Sequence, residues 1–120
     1  HAVYVSVLDD SQRLEVDCKE LSALLDNREI DPFRLIDCRE QDEHSLCHIA
    51  GSELMPLSDF ARLSQGLSDP DEHVVIYCHH GMRSLQATEY LRSRGHNHVF
   101  SMAGGIDVWA ELIDPSMVRY

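Results

Sequence analysis

A chain of 120 residues with 43% hydrophobic content is long enough for one compact core and hardly more. Its formal charge of −11, from 21 acidic against 10 basic residues with no Lys/Arg block, excludes a surface built to replace phosphate counterions, so no nucleic acid partner is expected. No apolar run approaches the roughly 18 residues of a membrane span, and the start HAVYVSVLDD lacks the order of a secretory signal, so no membrane association is expected.

Strand-like and helix-like pieces alternate along the chain, which predicts an α/β fold. Asp17 followed by Glu20 has capping-box spacing, and Leu21, Leu24 and Leu25 form an apolar stripe, predicting a helix from Cys18 to about Asp26 that closes near Asn27. After the break at Asp31-Pro32, FRLIDC reads as a short buried strand of Phe33, Leu35 and Ile36 ending on Asp37. REQDEHS is too charged for core, HIAGSELMP offers a brief extended piece, and SDFARL reads as a small helix capped by Ser58. LSDPDEH is a loop, and VVIY is the clearest strand. Ala87, Tyr90 and Leu91 share a helical face, and Gly95 stands where a left-handed cap is wanted, so residues 83–94 read as an amphipathic helix. HVFSM is a further strand and GGIDVWAEL a last helix, with Ile106 and Trp109 as core.

Cys78 therefore falls at the carboxyl end of a buried strand, in the tight turn HHGM before a helix, where open α/β sheets place ligand sites. Backbone amides of such a turn and of the helix start converge on one atom and favour an anion, which makes Cys78 an exposed thiolate nucleophile in a ring of amides. Gly81 supplies the unusual dihedral angles that the curl requires. Arg83, a cation at the unfavourable end of the helix dipole, is suited to receive an anion, and Ser84 to add a hydroxyl. His79 and His80 in the loop interior either tune substrate choice or are partly solvated and do little. The cysteines Cys18, Cys38, Cys47 and Cys78 are irregularly spaced without a CxxC pair, so reduced thiols are expected rather than disulfides, a zinc site or a thioredoxin-like centre. Cys78, His79, His80, His44, Cys47 and His48 could be assembled into a metal site, but adjacent residues of a tight loop seldom converge on one ion, so no metal is expected.

IDCRE at 36–40, HIAGS at 48–52, YCHHGMRS at 77–84 and AGGIDVWAE at 103–111 resemble, in order and spacing, the signatures of the rhodanese, or sulfurtransferase, family. The resemblance spans about residues 15–113, leaving an N-terminal extension 1–14 and a tail 114–120 on a single domain. It implies a central parallel sheet of about five strands with helices on both faces. It also implies a double-displacement reaction without a cofactor: Cys78 takes the outer sulfur of thiosulfate or a protein persulfide, then passes it to a thiophilic acceptor. The loop amides would hold the persulfide while Arg83 orients the anionic end of donor or acceptor. Phosphatases and arsenate reductases, similar in shape, space cysteine and arginine one residue further apart. The six-residue loop from Cys78 to Arg83 thus suits a sulfur atom better than a phosphate.

Asp37 and Arg39 match the family's DxR pair, and with Glu43 in reach of Arg39 they are expected to form a structural ion-pair network. His48 matches a packed core position. Cys47 stands where relatives carry glycine and is either a buried bystander or a resolving thiol; Cys18 and Cys38 are bystanders. The last stretch, AGGIDVWAELIDPSMVRY, resembles the end of rhodanese domains fused behind E1-like adenylyltransferases, which implies a protein sulfur carrier or an adenylyltransferase as partner. The other expected partner is a small sulfur-containing anion or thiol. The alternative is a non-catalytic or redox-sensing module on the same fold. The first residue is His1 rather than methionine, so the chain is expected to be processed or trimmed, and its expected location is the cytoplasm.

Overall fold

The computed structural model describes residues 6–120; residues 1–5, the start of the HAVYVSVLDD stretch, lie outside them. Among the described residues, five strands and five α-helices follow in the order β1 (Glu15–Val16), α1 (Cys18–Asp26), β2 (Arg34–Asp37), α2 (Gln41–Leu46), β3 (Glu53–Leu54), α3 (Phe60–Leu63), β4 (Val74–Tyr77), α4 (Met82–Ser93), β5 (Val99–Met102) and α5 (Gly105–Leu112), with one short 3-10 turn before β1 and two flanking α3. The strands form one parallel sheet in the order β1-β5-β4-β2-β3.

The sheet is buried on both faces, as a parallel sheet must be when its crossovers lie over it. Alternate residues of β4 enter separate cores. Val75 and Tyr77 pack with Leu21 and Leu24 of α1 and Ile106 and Trp109 of α5. Val74, Ile76 and Cys78 pack with Phe60 of α3 and Ala87 and Leu91 of α4. This two-sided burial is why VVIY is apolar at every position rather than at every second one.

The expected capping box closes α1: the Asp17 carboxylate accepts from the Glu20 amide at 2.7 Å and Glu20 accepts from the Asp17 amide at 3.0 Å. Two local readings are corrected. The charged REQDEHS stretch supplies most of α2, a helix with no buried residue whose start is held by the Glu43 carboxylate on the Glu40 amide at 3.2 Å, but the first residue of the stretch, Arg39, is fully buried. Ser58 does not cap the small helix, which begins at Phe60 after a 3-10 turn; its hydroxyl donates to Glu40 at 2.7 Å. The two-residue strand β1 carries no periodicity and went unread.

The strand order positions the site. The connection leaving β2 runs outward to the edge strand β3, whereas the one leaving β4 runs the opposite way to β5. Adjacent strands whose connections diverge leave a crevice at their carboxyl ends. The segment after Asp37 and the loop after Tyr77 are its two lips, registered by the Asp37–Tyr77 pairing and by the Cys38 amide on the Tyr77 carbonyl at 3.0 Å. The start of α5 props the second lip, with the Ile106 amide on the Cys78 carbonyl at 2.8 Å and the Asp107 amide on the His79 carbonyl at 3.1 Å. Such an approach demands glycine at 105, where a Cβ would stand 2.3 Å from the His79 carbonyl oxygen at a φ of +63°.

Gly105→Ala is expected to lower the urea midpoint at unchanged slope, costing about 1–3 kcal/mol for the left-handed backbone alone and more from the contact with the loop. A midpoint equal to that of the wild type would show that α5 does not prop the loop.

Candidate active site

Cys78 sits where β4 ends, and its sulfur is enclosed by the loop that follows. The Gly81 amide donates to Sγ at 3.1 Å and the Ser84 amide at 3.3 Å, with the Ser84 hydroxyl 3.4 Å away. Gly81, at a φ of +102°, is the left-handed residue that turns the loop into α4, as its place in the sequence requires. Ser84 is anchored from behind by Ser101 of β5, the two hydroxyls lying 2.7 Å apart.

The Cys38 thiol, beside Cys78 on the other lip, is the strongest influence lowering the Cys78 pKa. Burial opposes it, and the Ser84 hydroxyl and the amides of Ser84 and Gly81 add to the lowering, which leaves Cys78 at about 4. Cys38 moves the other way, pushed up by the neighbouring sulfur and then by burial. The backbone donors decide which thiol of the pair ionises, because they converge on Cys78. Cys78 is not exposed as expected: it is 1% exposed, since its side chain joins the apolar cluster beneath α4. Cys38, expected as a bystander, is buried in the same apolar cluster as Cys78, a neighbourhood that strand pairing sets.

Arg39 pairs with Asp37 as expected, whereas Glu43 and Arg83 find partners other than those the sequence reading gave them. Arg39 is fully buried and forks onto Asp37, with Nε to Oδ1 at 3.0 Å and Nη2 to Oδ2 at 2.8 Å, and it also donates to the Cys47 carbonyl. Burial opposes its charge, but Asp37 and the Tyr120 hydroxyl outweigh burial and hold its pKa above the ordinary value. Glu43 does not pair with Arg39. It binds Arg83 in a bidentate fork at 2.7 and 2.9 Å, and the Tyr120 hydroxyl bridges the two systems, accepting from Arg39 at 2.8 Å and donating to Glu43 at 2.6 Å. The bonds from Arg83 first, and the Tyr120 hydroxyl after them, overcome burial and hold Glu43 at about 2. The anion that Arg83 receives in this structure is thus Glu43.

The Tyr120 ring stacks on His79 with centroids 3.9 Å apart, and His80 stacks on the other side of His79 at 3.9 Å. His79 is held in this stack while His80 and Met82 are exposed. His48 is exposed rather than core; the buried residue is its neighbour Ile49, whose amide donates to the Tyr77 hydroxyl at 3.1 Å. Cys47 packs against the cluster on the opposite face from Cys78, so Cys38 and not Cys47 is the thiol at hand. Cys18 is buried and pushed up to about 11 by burial and by Asp17. Among the described residues no three His, Cys, Asp or Glu side chains gather as a metal site, and no helix is long and apolar enough to cross a membrane. Tyr120 was missed as a site residue because nothing in a C-terminal MVRY marks it for a loop some 40 residues earlier.

The rhodanese-like domain model matches residues 17–112, most of the chain. The chain belongs to the rhodanese-like domain family. Among its rhodanese-like relatives, the thiosulfate sulfurtransferase GlpE of Pseudomonas fluorescens is 36% identical over 78 residues, covering 62% of this chain and 68% of that protein. The probable adenylyltransferase/sulfurtransferase MoeZ of Mycobacterium tuberculosis is 35% identical over 88 residues, covering 72% of this chain and 22% of MoeZ. The human single-domain sulfurtransferase TSTD1 superposes with a TM-score of 0.70 at 28% identity, covering 82% of this chain and 96% of that one. The chain spans less than a third of the length of the first curated relatives it matches.

The folded pKa of Cys78 lies below the unfolded value of about 8.5, so its contribution to stability is full above that value and is lost as pH falls through about 4. Thiolate ultraviolet absorbance is therefore expected across the neutral range. Cys38→Ala should raise the midpoint, and Cys38→Ser, which keeps a hydroxyl donor, should raise it less; equal midpoints in all three proteins would acquit Cys38. Arg39→Ala leaves the buried Asp37 carboxylate with only His44 at 2.8 Å and the residue 39 amide at 3.0 Å, and urea unfolding should show a loss of about 3 kcal/mol.

Proposed function

We propose that the protein is a sulfurtransferase that carries a sulfane sulfur on Cys78 as a persulfide. The observation that supports this best is a thiolate held in the folded state by two loop amides and the Ser84 hydroxyl at the carboxyl end of a central strand. Such a sulfur is ionised at neutral pH yet remains a competent nucleophile, and the donors that steady it also steady the leaving thiolate in the reverse sense. In the first half-reaction Cys78 attacks the outer sulfur of a donor X–S. The S–X bond breaks and X departs with the electron pair, as sulfite from thiosulfate or as a thiol from a persulfide. In the second, an acceptor thiolate or cyanide attacks the outer sulfur, takes it, and returns Cys78 to the thiolate. Neither half needs a metal or an electron carrier, because each is a displacement at sulfur.

The likeness to GlpE, named a thiosulfate sulfurtransferase, supports the activity, and the likeness to MoeZ, named an adenylyltransferase/sulfurtransferase, supports a protein sulfur carrier or an adenylyltransferase as partner. A redox-sensing role would need a second thiolate to attack an oxidised Cys78. Cys78 and burial raise the pKa of the neighbouring Cys38 thiol, and a buried neutral thiol is a poor attacking group for disulfide formation.

Incubation with a sulfane donor, glutathione persulfide or excess thiosulfate, should add one sulfur atom to the wild-type protein by intact mass. Cyanide or a reducing thiol should remove it, and Cys78→Ser should gain none. Absence of sulfur uptake from both donors, or equal uptake by Cys78→Ser, would sink the proposal.

A further inference from the structure

The guanidinium at the mouth of the cysteine loop is already occupied. Arg83 presents two N–H groups to the Glu43 carboxylate at 2.7 and 2.9 Å, the parallel fork that an oxyanion of a substrate would otherwise take. Besides Arg83, two further groups hold Glu43 in place. Its position in α2 is fixed by the bond it accepts from the Glu40 amide, its second oxygen accepts the Tyr120 hydroxyl at 2.6 Å, and Tyr120 is pinned by Arg39 at 2.8 Å and by stacking on His79. The pair is only partly accessible, with 17% of the Glu43 side chain and 33% of that of Arg83 exposed, so water screens it less than an ordinary surface pair.

A dianion approaching Cys78 meets three obstacles. It must displace Glu43 from Arg83, it must tolerate the displaced carboxylate nearby, and it must come up to a chain of net charge −11. A persulfide R–S–SH needs none of the guanidinium. Its reaction is Cys78–S⁻ + R–S–SH → Cys78–S–S⁻ + R–SH: the donor S–S bond breaks, its electron pair leaves with R–S, and the proton of the outer sulfur ends on the departing thiol. With thiosulfate the departing group is sulfite, which carries two negative charges away past Glu43.

Resting on the sulfur-transfer reading, we infer that Glu43, clamped by Tyr120, is the specificity residue of this site, closing Arg83 to small dianions so that the sulfur donor is a thiol persulfide. Tyr120 is a positioning residue in this device, and the stretch 114–120 serves as the strap that carries it over the loop.

The test measures kcat/KM for glutathione persulfide and for thiosulfate in wild type, Glu43→Gln, Tyr120→Phe and Glu43→Gln/Arg83→Gln. Wild type is expected to prefer the persulfide. Glu43→Gln should shift the ratio towards thiosulfate by about tenfold, with the change falling in the thiosulfate KM. Tyr120→Phe, which keeps the ring on His79 and removes only the hydroxyl, should shift it the same way by a smaller factor. The double variant should lose the gain, because the gain requires a freed Arg83. A donor ratio that stays put, or moves towards the persulfide, in both Glu43→Gln and Tyr120→Phe overturns the inference while leaving sulfur transfer standing. A wild type that loads sulfur from neither donor overturns sulfur transfer and this inference with it.

Discussion

A negatively charged sulfur inside a protein is the condition on which this site depends. Cys78 is 1% exposed, and burial by itself drives a thiol towards its neutral form. The charge persists because donors stand within reach of one atom, the amides of Gly81 and Ser84 and the Ser84 hydroxyl, and because the neighbouring Cys38 thiol lowers the pKa further. Each donor in turn needs a support. Gly81 needs its left-handed backbone, Ser84 leans on Ser101, and the loop as a whole is propped by the amides at the start of α5. Gly105 belongs to this scaffold although it lies 27 positions after the nucleophile, because any side chain there would strike the loop carbonyls.

Beside the sulfur lies a second, wider system of charge. Arg39 and Asp37 are both fully buried and satisfy one another, which holds the first lip of the crevice rigid. Arg83 and Glu43 form the outer pair, and the Tyr120 hydroxyl joins the two by accepting from one and donating to the other. The cation at the start of α4 is unfavourable for the helix dipole, and the carboxylate that offsets it comes from the other lip. The sheet order makes this possible: divergent connections from β2 and β4 bring the segment after Asp37 and the loop after Tyr77 face to face.

Local chemistry was legible in the sequence wherever it was dictated by neighbours along the chain. The capping box of α1 has its two partners three residues apart, and the four apolar residues of β4 announce burial on both faces. The curl at Gly81, the placement of Cys78 at a strand end and the core roles of Ile106 and Trp109 follow from the same short-range patterns. The misreadings were of two kinds. α2 has no buried residue, so it lacks the apolar stripe that reveals a helix, and the charge of its stretch speaks only against core. Glu43 was paired with Arg39, four positions away, because distance along the chain was the only distance visible.

The sequence by itself determined the fold family, the place of Cys78 at a strand end and the six-residue loop, since these rest on residue types at fixed short spacings that the backbone must honour locally. Tertiary structure decided who faces whom. It set Cys38 against Cys78, turned Arg83 from a vacant anion receptor into half of a closed ion pair, and brought Tyr120 onto His79. It also decided that Cys78 is buried rather than exposed. Contacts between residues 38 and 78, 43 and 83, or 79 and 120 depend on strand order and on how the last turn of chain lies over the loop, and neither leaves a local trace in residue spacing.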